Sequence, residues 1–291
     1  MYTAIHTISQ HKCFGGRLGY YSHNSKVNGA PMRFSVYQPP RAMRGRRVPI
    51  LVYLAGLTCT DETIMIKGAA LRHAADNGLM LVSPDTSPRG CNLPGETDDW
   101  ELGIGAGFYV DASREPWSSH YQMYSYVTSE LTDVICANFP ARRERQGIFG
   151  HSMGGHGALV MALRNPDIYV SVSAFAPLVA PIQSPWGEKA FSAYLGDEDR
   201  EAWRAYDATE LVRKMENAAD RPPILIDQGM ADQFLDVQLH PHVFEDACRE
   251  AGYPLTLRRH EGYDHGYFFI ATFMEDHIRH HAARLVGPGD G

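Results

Sequence analysis

The sequence lacks the features that mark secreted, membrane-spanning and nucleic-acid-binding proteins. Its five cysteines are odd in number and show no paired spacing, which favours a reduced, cytoplasmic protein over a disulfide-stabilised one. No run approaches the roughly 18 apolar residues that a membrane span needs. The first residues contain neither the basic start nor the apolar core of a signal peptide. The net charge of -7 argues against nucleic-acid binding through phosphate contacts.

What remains is the composition of an ordinary globular protein. Hydrophobic residues make up 44% of the 291 positions and charged residues 21%. The sequence contains no internal repeat and no linker, so we expect residues 1–291 to form a single domain. Glycine and proline dominate residues 287–291, and we expect this tail to fray.

Two hydrophobic patterns predict the fold class. Met32, Phe34 and Val36 alternate with other side chains, which is typical of the half-buried antiparallel strands that we expect from residue 3 to about residue 40. Residues 48–54 are instead apolar without alternation, as in a central strand covered on both faces. Helices and strands then alternate, which predicts an α/β fold: a mostly parallel central sheet with helices on both faces and an N-terminal antiparallel extension. The further predicted strands are 79–85, 145–149, 170–177, 223–229 and 254–259, and the predicted helices are 64–77, 121–138, 237–251 and 268–285.

Two long connections interrupt this alternation. Residues 86–119 are rich in glycine and proline, and a loop of this length inside a domain is usually functional or disordered. Trp100 and Trp117 favour an ordered, packed excursion. Residues 181–220 include Trp186, and we expect them to form part of a cap over the site.

Residues 150–154, Gly-His-Ser-Met-Gly, have the pattern of a nucleophile elbow. A short apolar strand precedes them and the apolar run 158–163 follows. In such an elbow Ser152 lies on a turn too tight for bulky neighbours, and Gly150 and Gly154 satisfy that requirement. The turn would expose the serine hydroxyl beside the N-terminus of the next helix, so Ser152 is the candidate nucleophile.

A nucleophilic serine needs a histidine base and a carboxylate that orients it, in the chain order Ser, acid, His for this fold. Asp232 and His265 both follow predicted strands, at the same sheet edge as Ser152. Asp227 is the alternative acid, but it lies inside or at the end of its strand, so Asp232 is preferred. Asp264 is interpreted as a structural or orienting group.

The oxyanion hole needs two backbone N–H groups, which the pattern assigns to Met153 and Leu57. Cys59 follows closely, and two roles stay open for it: a thiol that lines the pocket or a small buried residue. His151 and His156 flank the serine and could line the pocket, although packing is the default interpretation.

Three histidines of the last helix have the spacing of a possible metal site. His277, His280 and His281 stand at i, i+3 and i+4, but no carboxylate–histidine signature accompanies them. A polar helix face is the preferred interpretation, and we expect neither a metal nor a cofactor.

Several segments together resemble one family, the S-formylglutathione hydrolases, also called esterase D. They extend from about residue 12 to residue 281, nearly the whole chain. The matching segments are residues 12–16, 56–60, 83–90, 105–111, 150–158, 173–177, 227–229, 232–235 and 261–265.

The resemblance implies the α/β-hydrolase fold and a cytoplasmic, commonly dimeric serine thioesterase of formaldehyde detoxification that acts on a glutathione thioester. Carried over by motif, Ser152 is the nucleophile, Asp232 the acid and His265 the base. This decides for Asp232 over Asp227. Leu57 and Met153 match the oxyanion positions.

A formyl group is tiny, so bulky side chains should restrict the acyl pocket, and Trp100 and Trp186 are the candidates beside Cys59 and His151. The same chemistry would also fit a general carboxylesterase for short acyl esters. A non-catalytic relative is a third hypothesis, against which the intact Ser–Asp–His set speaks. Lys67, Arg89 and the acidic residues 96–101 are candidate glutathione contacts.

Overall fold

The computed structural model describes residues 4–287, so the predicted start at residue 3 and all but the first residue of the predicted frayed tail lie outside the described residues. Within them, all the strands join one sheet of nine. The strands are β1 (His6–Cys13), β2 (Gly16–Asn24), β3 (Pro31–Gln38), β4 (Val48–Leu54), β5 (Met80–Pro84), β6 (Ala141–His151), β7 (Tyr169–Phe175), β8 (Ile224–Gly229) and β9 (Leu255–His260).

The sheet order is β1-β2-β3-β5-β4-β6-β7-β8-β9. Strands β1 to β3 form an antiparallel meander, and β3 also pairs antiparallel with β5. From β5 through β9 every neighbouring pair is parallel. The predicted fold class is therefore confirmed: a parallel central sheet with an N-terminal antiparallel extension.

Helices fill most connections between the parallel strands, and in the part of the chain that the structure describes no helix is long and apolar enough to cross a membrane. The helices are α1 (Thr63–Lys67), α2 (Ala70–Asp76), α3 (Met123–Ser125), α4 (Thr132–Asn138), α5 (Met153–Arg164), α6 (Pro185–Leu195), α7 (Ala208–Arg213), α8 (Pro241–Ala251) and α9 (Tyr267–Leu285). A π-helical stretch at Tyr126–Leu131 joins α3 to α4, and a second one at Leu235–Leu239 precedes α8.

Alternation along β7 shows that helices cover both faces of the sheet. Ser173 points towards α9, where its hydroxyl lies 2.8 Å from His277 Nδ1. The next residue, Ala174, points the other way, because its Cβ lies 3.4 Å from the position that a side chain on Gly155 of α5 would occupy. Both faces of this strand are therefore buried.

Two predicted helices differ from the observed ones. The segment 64–77 is two helices, because Ala69 adopts a left-handed backbone (φ 55°) that breaks the helical ladder. The segment 237–251 becomes an α-helix only at Pro241, which occupies the first turn, where its fixed φ and missing N–H are tolerated. Neither change moves a strand, so the sheet edge that carries the candidate residues is unaffected.

The excursion between β5 and α3 is packed, as predicted. Phe108, Tyr109 and Trp117 are buried, and the Tyr109 hydroxyl donates to the carbonyl of Ala55, 2.9 Å away. Trp100 is the exception, with 53% of its surface exposed. The excursion therefore packs against the loop that follows β4.

Candidate active site

Ser152 lies between β6 and α5 in a strained turn. Its φ is positive (58°), which residues with a side chain rarely adopt, and only 3% of its surface is exposed. A Cβ on Gly150 would lie 2.2 Å from the carbonyl oxygen of Gly154, and a Cβ on Gly154 would lie 2.0 Å from that of Leu54. The glycines are thus required by close backbone approach, which is the reason that the sequence pattern predicts.

The loops after β8 and β9 bring Asp232 and His265 together. The Ala231 N–H donates to the carbonyl of Tyr263 at 2.9 Å, and Gly229 leaves room for that contact, since its Cβ would lie 2.4 Å from the same oxygen. Nδ1 of His265 then lies 2.5 Å from Oδ2 of Asp232. This bond leaves Nε2 as the ring nitrogen available for proton transfer.

Two further donors hold the Asp232 carboxylate. The Phe234 N–H donates to Oδ1 at 2.8 Å, and Nε2 of Gln228 lies 3.3 Å from Oδ2. The Asp232 side chain is fully buried, whereas that of His265 keeps 13% exposure. A buried, fixed carboxylate behind a partly exposed imidazole is the arrangement that orients a general base.

Asp227 has a different environment from the one that a catalytic acid needs. It is fully buried on β8, where Arg258 donates to both of its oxygens, at 2.6 and 2.5 Å. His260 and His277 each lie 3.1 Å from it. Burial alone would raise the pKa of this carboxyl, but the hydrogen bonds from His277 and Arg258 hold it well below its usual range. Asp227 therefore links β8, β9 and α9.

The loop after β4 lies directly against the serine. A Cβ on Gly56 would lie 3.3 Å from Cβ of Ser152, so this glycine permits the approach. The N–H groups of Thr58 and Cys59 are bonded to the carbonyls of Gly105 and Gly56. Among residues 4–287, the N–H of the intervening Leu57 has no hydrogen-bond acceptor, which leaves it free for a ligand.

The carbonyl of Cys59 anchors this loop. Oγ1 of Thr86 donates to it at 2.7 Å and Nη2 of Arg89 at 3.3 Å, while Arg89 is also bidentate to Asp85 at 2.7 and 2.9 Å. Arg89, a candidate glutathione contact in the sequence, is thus held by the loop and by Asp85.

The Cys59 thiol lies at the edge of the site. The Tyr267 ring lies 5.9 Å from that of His151. Burial raises the pKa of the Cys59 thiol, an effect that the neighbouring Thr63 and Tyr267 hydroxyls partly offset. A neutral thiol is a weak nucleophile, so the position suits lining better than reaction.

The two histidines beside the serine differ in their surroundings. The ring of His151 lies 4.4 Å from that of His265, and burial lowers its pKa well below the usual value. His156 points away, where its Nε2 donates to the carbonyl of Phe108 at 3.0 Å. His156 therefore fixes the excursion on α5, whereas His151 packs against His265.

Three aromatic rings extend from His265 to the surface. Phe234 contacts His265 edge-on at 5.0 Å, Trp186 lies 4.6 Å from Phe234, and Trp100 meets Trp186 edge-on at 5.9 Å. Nε1 of Trp186 donates to the Glu101 carboxylate at 2.7 Å. Both tryptophans are predicted pocket residues, and Glu101 belongs to the acidic residues predicted to contact glutathione. Phe234 has no predicted role, although its position two residues after Asp232 is a signal for it.

The histidines of α9 form a buried network rather than a solvated polar face. His277 and His281 are fully buried, and Ser173 bonds to both rings, at 2.8 and 2.9 Å. His280 donates to the carbonyl of Val172 at 3.0 Å. The helical spacing reflects packing against β7, because serines on the strand replace water as their partners.

The acidic candidate contacts, residues 96–101, form bonds within the protein as well. The carboxylate of Glu96 accepts the N–H of Asn92 at 2.8 Å and the hydroxyl of Tyr121 at 3.2 Å. Lys189 pairs with Asp99 and Glu101. The acidic loop 96–101 is thus bonded to its own excursion and to α6.

Similarity to known proteins agrees with this geometry. The Esterase family model matches residues 25–280. The S-formylglutathione hydrolase of Mus musculus is 52% identical over 283 residues, which cover 97% of this chain and 99% of that protein. The chain belongs to the S-formylglutathione hydrolase family. Within the family, a solved structure from Agrobacterium tumefaciens is 53% identical, with a TM-score of 0.91 over 96% of this chain and 99% of that one.

A more distant solved structure shares the fold. The fluorophosphonate-binding serine hydrolase F of Staphylococcus aureus is 20% identical and superimposes with a TM-score of 0.73, covering 92% of this chain and 98% of that chain. At this identity the likeness concerns the architecture alone.

Proposed function

We propose that this chain is a serine thioesterase that hydrolyses S-formylglutathione to glutathione and formate, the reaction for which its relatives are named. The observation that carries the proposal is the His265–Asp232 pair, at 2.5 Å, on the sheet edge that also presents Ser152. The family membership supplies the substrate class, and the geometry supplies the chemistry.

In the acylation step, Oγ of Ser152 attacks the formyl carbon while Nε2 of His265 takes the hydroxyl proton. The carbonyl oxygen becomes an oxyanion, which accepts hydrogen bonds from the backbone N–H groups of Leu57 and Met153. The carbon–sulfur bond then breaks, and His265 returns the proton to the glutathione sulfur. The products are free glutathione and a formyl ester on Ser152.

Deacylation repeats the same proton transfers with water. His265 removes a proton from a water molecule, whose oxygen attacks the formyl ester. The intermediate collapses, His265 protonates Oγ of Ser152, and formate leaves. Asp232 stabilises the imidazolium in both steps and keeps Nδ1 protonated.

Trp186 is proposed to restrict the acyl side of the site, because it is buried and packs on Phe234 beside His265. Trp100, His151 and Cys59 are proposed as further pocket residues. A pocket bounded by such side chains suits a one-carbon acyl group.

A comparison of kcat/KM on S-formylglutathione and on p-nitrophenyl acetate tests the substrate. We expect a strong preference for the glutathione thioester. Equal or greater efficiency on the aryl ester would instead indicate a general short-chain carboxylesterase with the same triad. Failure of both substrates, with no labelling of Ser152 by a fluorophosphonate, would indicate a non-catalytic relative.

Family membership also supports a proposal for the location and the oligomeric state of the protein. We propose a cytoplasmic homodimer with a small-molecule substrate and no metal or cofactor. Residues 1–291 are proposed to act as one domain, which the single continuous sheet of the described residues supports. Sedimentation velocity on the purified protein tests the dimer, which a monomeric mass would refute.

A further inference from the structure

A cavity lined by basic residues lies at the edge of the sheet opposite to Ser152. A cavity of about 400 Å³ is lined there by Arg41, Arg44, Arg46, Arg47 and Arg142. We call these five residues and the cavity between them the arginine cleft. Its guanidinium groups come from the loop between β3 and β4 and from the beginning of β6.

The strand register explains why distant residues meet in the cleft. Pro49, at the beginning of β4, pairs with Arg142, at the beginning of β6. Ser152 follows the end of β6, so the length of the parallel strands separates it from the cleft. A strand rises about 3.3 Å per residue, so the seven residues of β4 separate the cleft from the Ser152 edge by about 20 Å. The cleft is thus independent of the hydrolase site.

The loop that carries four of the arginines has a defined conformation. The Gly45 and Arg46 N–H groups donate to the carbonyls of Ala42 and Arg41, at 3.0 and 3.2 Å. The aliphatic part of the Arg41 side chain lies against Gly78, because a Cβ on Gly78 would lie 3.3 Å from Cδ of Arg41. The loop therefore presents the guanidinium groups from an ordered turn and not from an extended tail.

Four of the five arginines of the cleft lack an ion-pair partner among the described residues. Within residues 4–287, no carboxylate forms an ion pair with Arg41, Arg44, Arg46 or Arg47, whereas Arg258 and Arg259 pair with Asp227 and Glu245. Like charges gathered around one cavity repel each other, so a bound anion would relieve the repulsion. Because the whole chain carries -7, this positive cleft is a local departure from its surroundings.

We propose that the arginine cleft binds a small polyphosphate, such as a nucleoside triphosphate or an inorganic oligophosphate. Guanidinium groups match phosphate oxygens in bidentate geometry, and each phosphoryl group adds negative charge. The volume suits one small molecule. The negative charge of the chain opposes an extended polyanion such as a nucleic acid.

Isothermal titration with tripolyphosphate, ATP and adenosine tests the proposal at an ionic strength of about 0.15 M. We expect one tripolyphosphate per chain and no binding of adenosine. Equal affinity for tripolyphosphate and ATP would identify the phosphate chain as the ligand, and tighter binding of ATP would identify a nucleotide. Absence of binding by both phosphates would overturn the proposal.

Matched variants separate a built site from diffuse attraction. Arg44→Ala with Arg46→Ala removes two exposed cleft arginines and should weaken tripolyphosphate binding about tenfold or more. Arg249→Ala with Arg279→Ala makes the same charge change on α8 and α9, where both arginines are exposed, and should leave the affinity unchanged. Equal weakening in the two double variants would overturn the proposal. Binding by Ser152→Ala should match the wild type, so this outcome does not depend on the proposed hydrolase activity.

Discussion

Nδ1 of His265 lies 2.5 Å from Oδ2 of Asp232, in the loop after β8. Asp227, on β8 itself, contacts Arg258, His260 and His277 instead. The two carboxylates are close in sequence but belong to separate networks. One holds a histidine with a partly exposed ring, and the other joins β8, β9 and α9. This separation gives the two acids different predicted mutant phenotypes.

Asp232→Asn should lower kcat for S-formylglutathione by about 10⁴-fold, because an amide cannot hold the same His265 tautomer or stabilise its imidazolium. The fold should persist, since the substitution keeps size and shape. Steady-state kinetics together with thermal unfolding measures both quantities.

Asp227→Asn is the matched control. It leaves Arg258 and the neighbouring histidines without their carboxylate, so we expect a loss of about 3 kcal/mol in unfolding free energy. The turnover of the folded fraction should stay near that of the wild type. If Asp227→Asn abolished turnover without destabilising the fold, the assignment of the acid would be reversed.

Much of this arrangement is predictable from local sequence. The glycines around Ser152 are dictated by the backbone of one turn, and the apolar runs of the parallel strands indicate which loops share an edge. Chain order then places Asp232 and His265 on that edge. Each inference depends on residues close together in the sequence and on general rules of sheet topology.

The differences arise where distant segments decide the outcome. His277 and His281 are spaced like a surface or metal-binding face, but the serines of β7 that bond to them lie about a hundred positions away in the sequence. The contact of Glu101 with Trp186 joins two excursions whose packing no periodicity reveals. The left-handed backbone of Ala69 is likewise invisible in its residue type.

Stability should fall as the pH decreases, because several histidines are buried in the neutral state. Burial lowers the pKa of His156 from its ordinary 6.5 to about 4, so the unfolded chain takes up a proton that the folded chain excludes. The contribution of this residue is complete above the unfolded pKa and decreases below it by about 1.4 kcal/mol per pH unit until the folded pKa is reached.

Chemical denaturation at about pH 7.5, 6 and 5 measures this slope. In His156→Gln, whose amide can still donate to the carbonyl of Phe108, the slope between about pH 6 and 5 should be lower by about 1.4 kcal/mol per pH unit. An identical pH dependence in the wild type and the variant would contradict the prediction.

Glu101→Ala should relax acyl selectivity, because Trp186 loses the carboxylate that fixes its indole N–H. We expect the ratio of kcat/KM on S-acetylglutathione to that on S-formylglutathione to rise about tenfold. Glu101→Gln, which retains an acceptor, should restore most of the selectivity.

Asp98→Ala is the control, since Asp98 is an exposed acid of the same loop and should leave the ratio unchanged. A merely destabilised protein would lose both activities together. An unchanged ratio in Glu101→Ala would remove Glu101 as a positioning residue and leave the triad untouched.

The most direct test of the proposed mechanism compares kcat/KM for S-formylglutathione in the wild type and in Ser152→Ala, with folding monitored by thermal unfolding. The proposed acyl-enzyme mechanism predicts a fall of about 10⁵-fold or more in a variant that unfolds at nearly the wild-type temperature. Retention of most of the wild-type rate by that folded variant would contradict the assignment of Ser152 as the nucleophile.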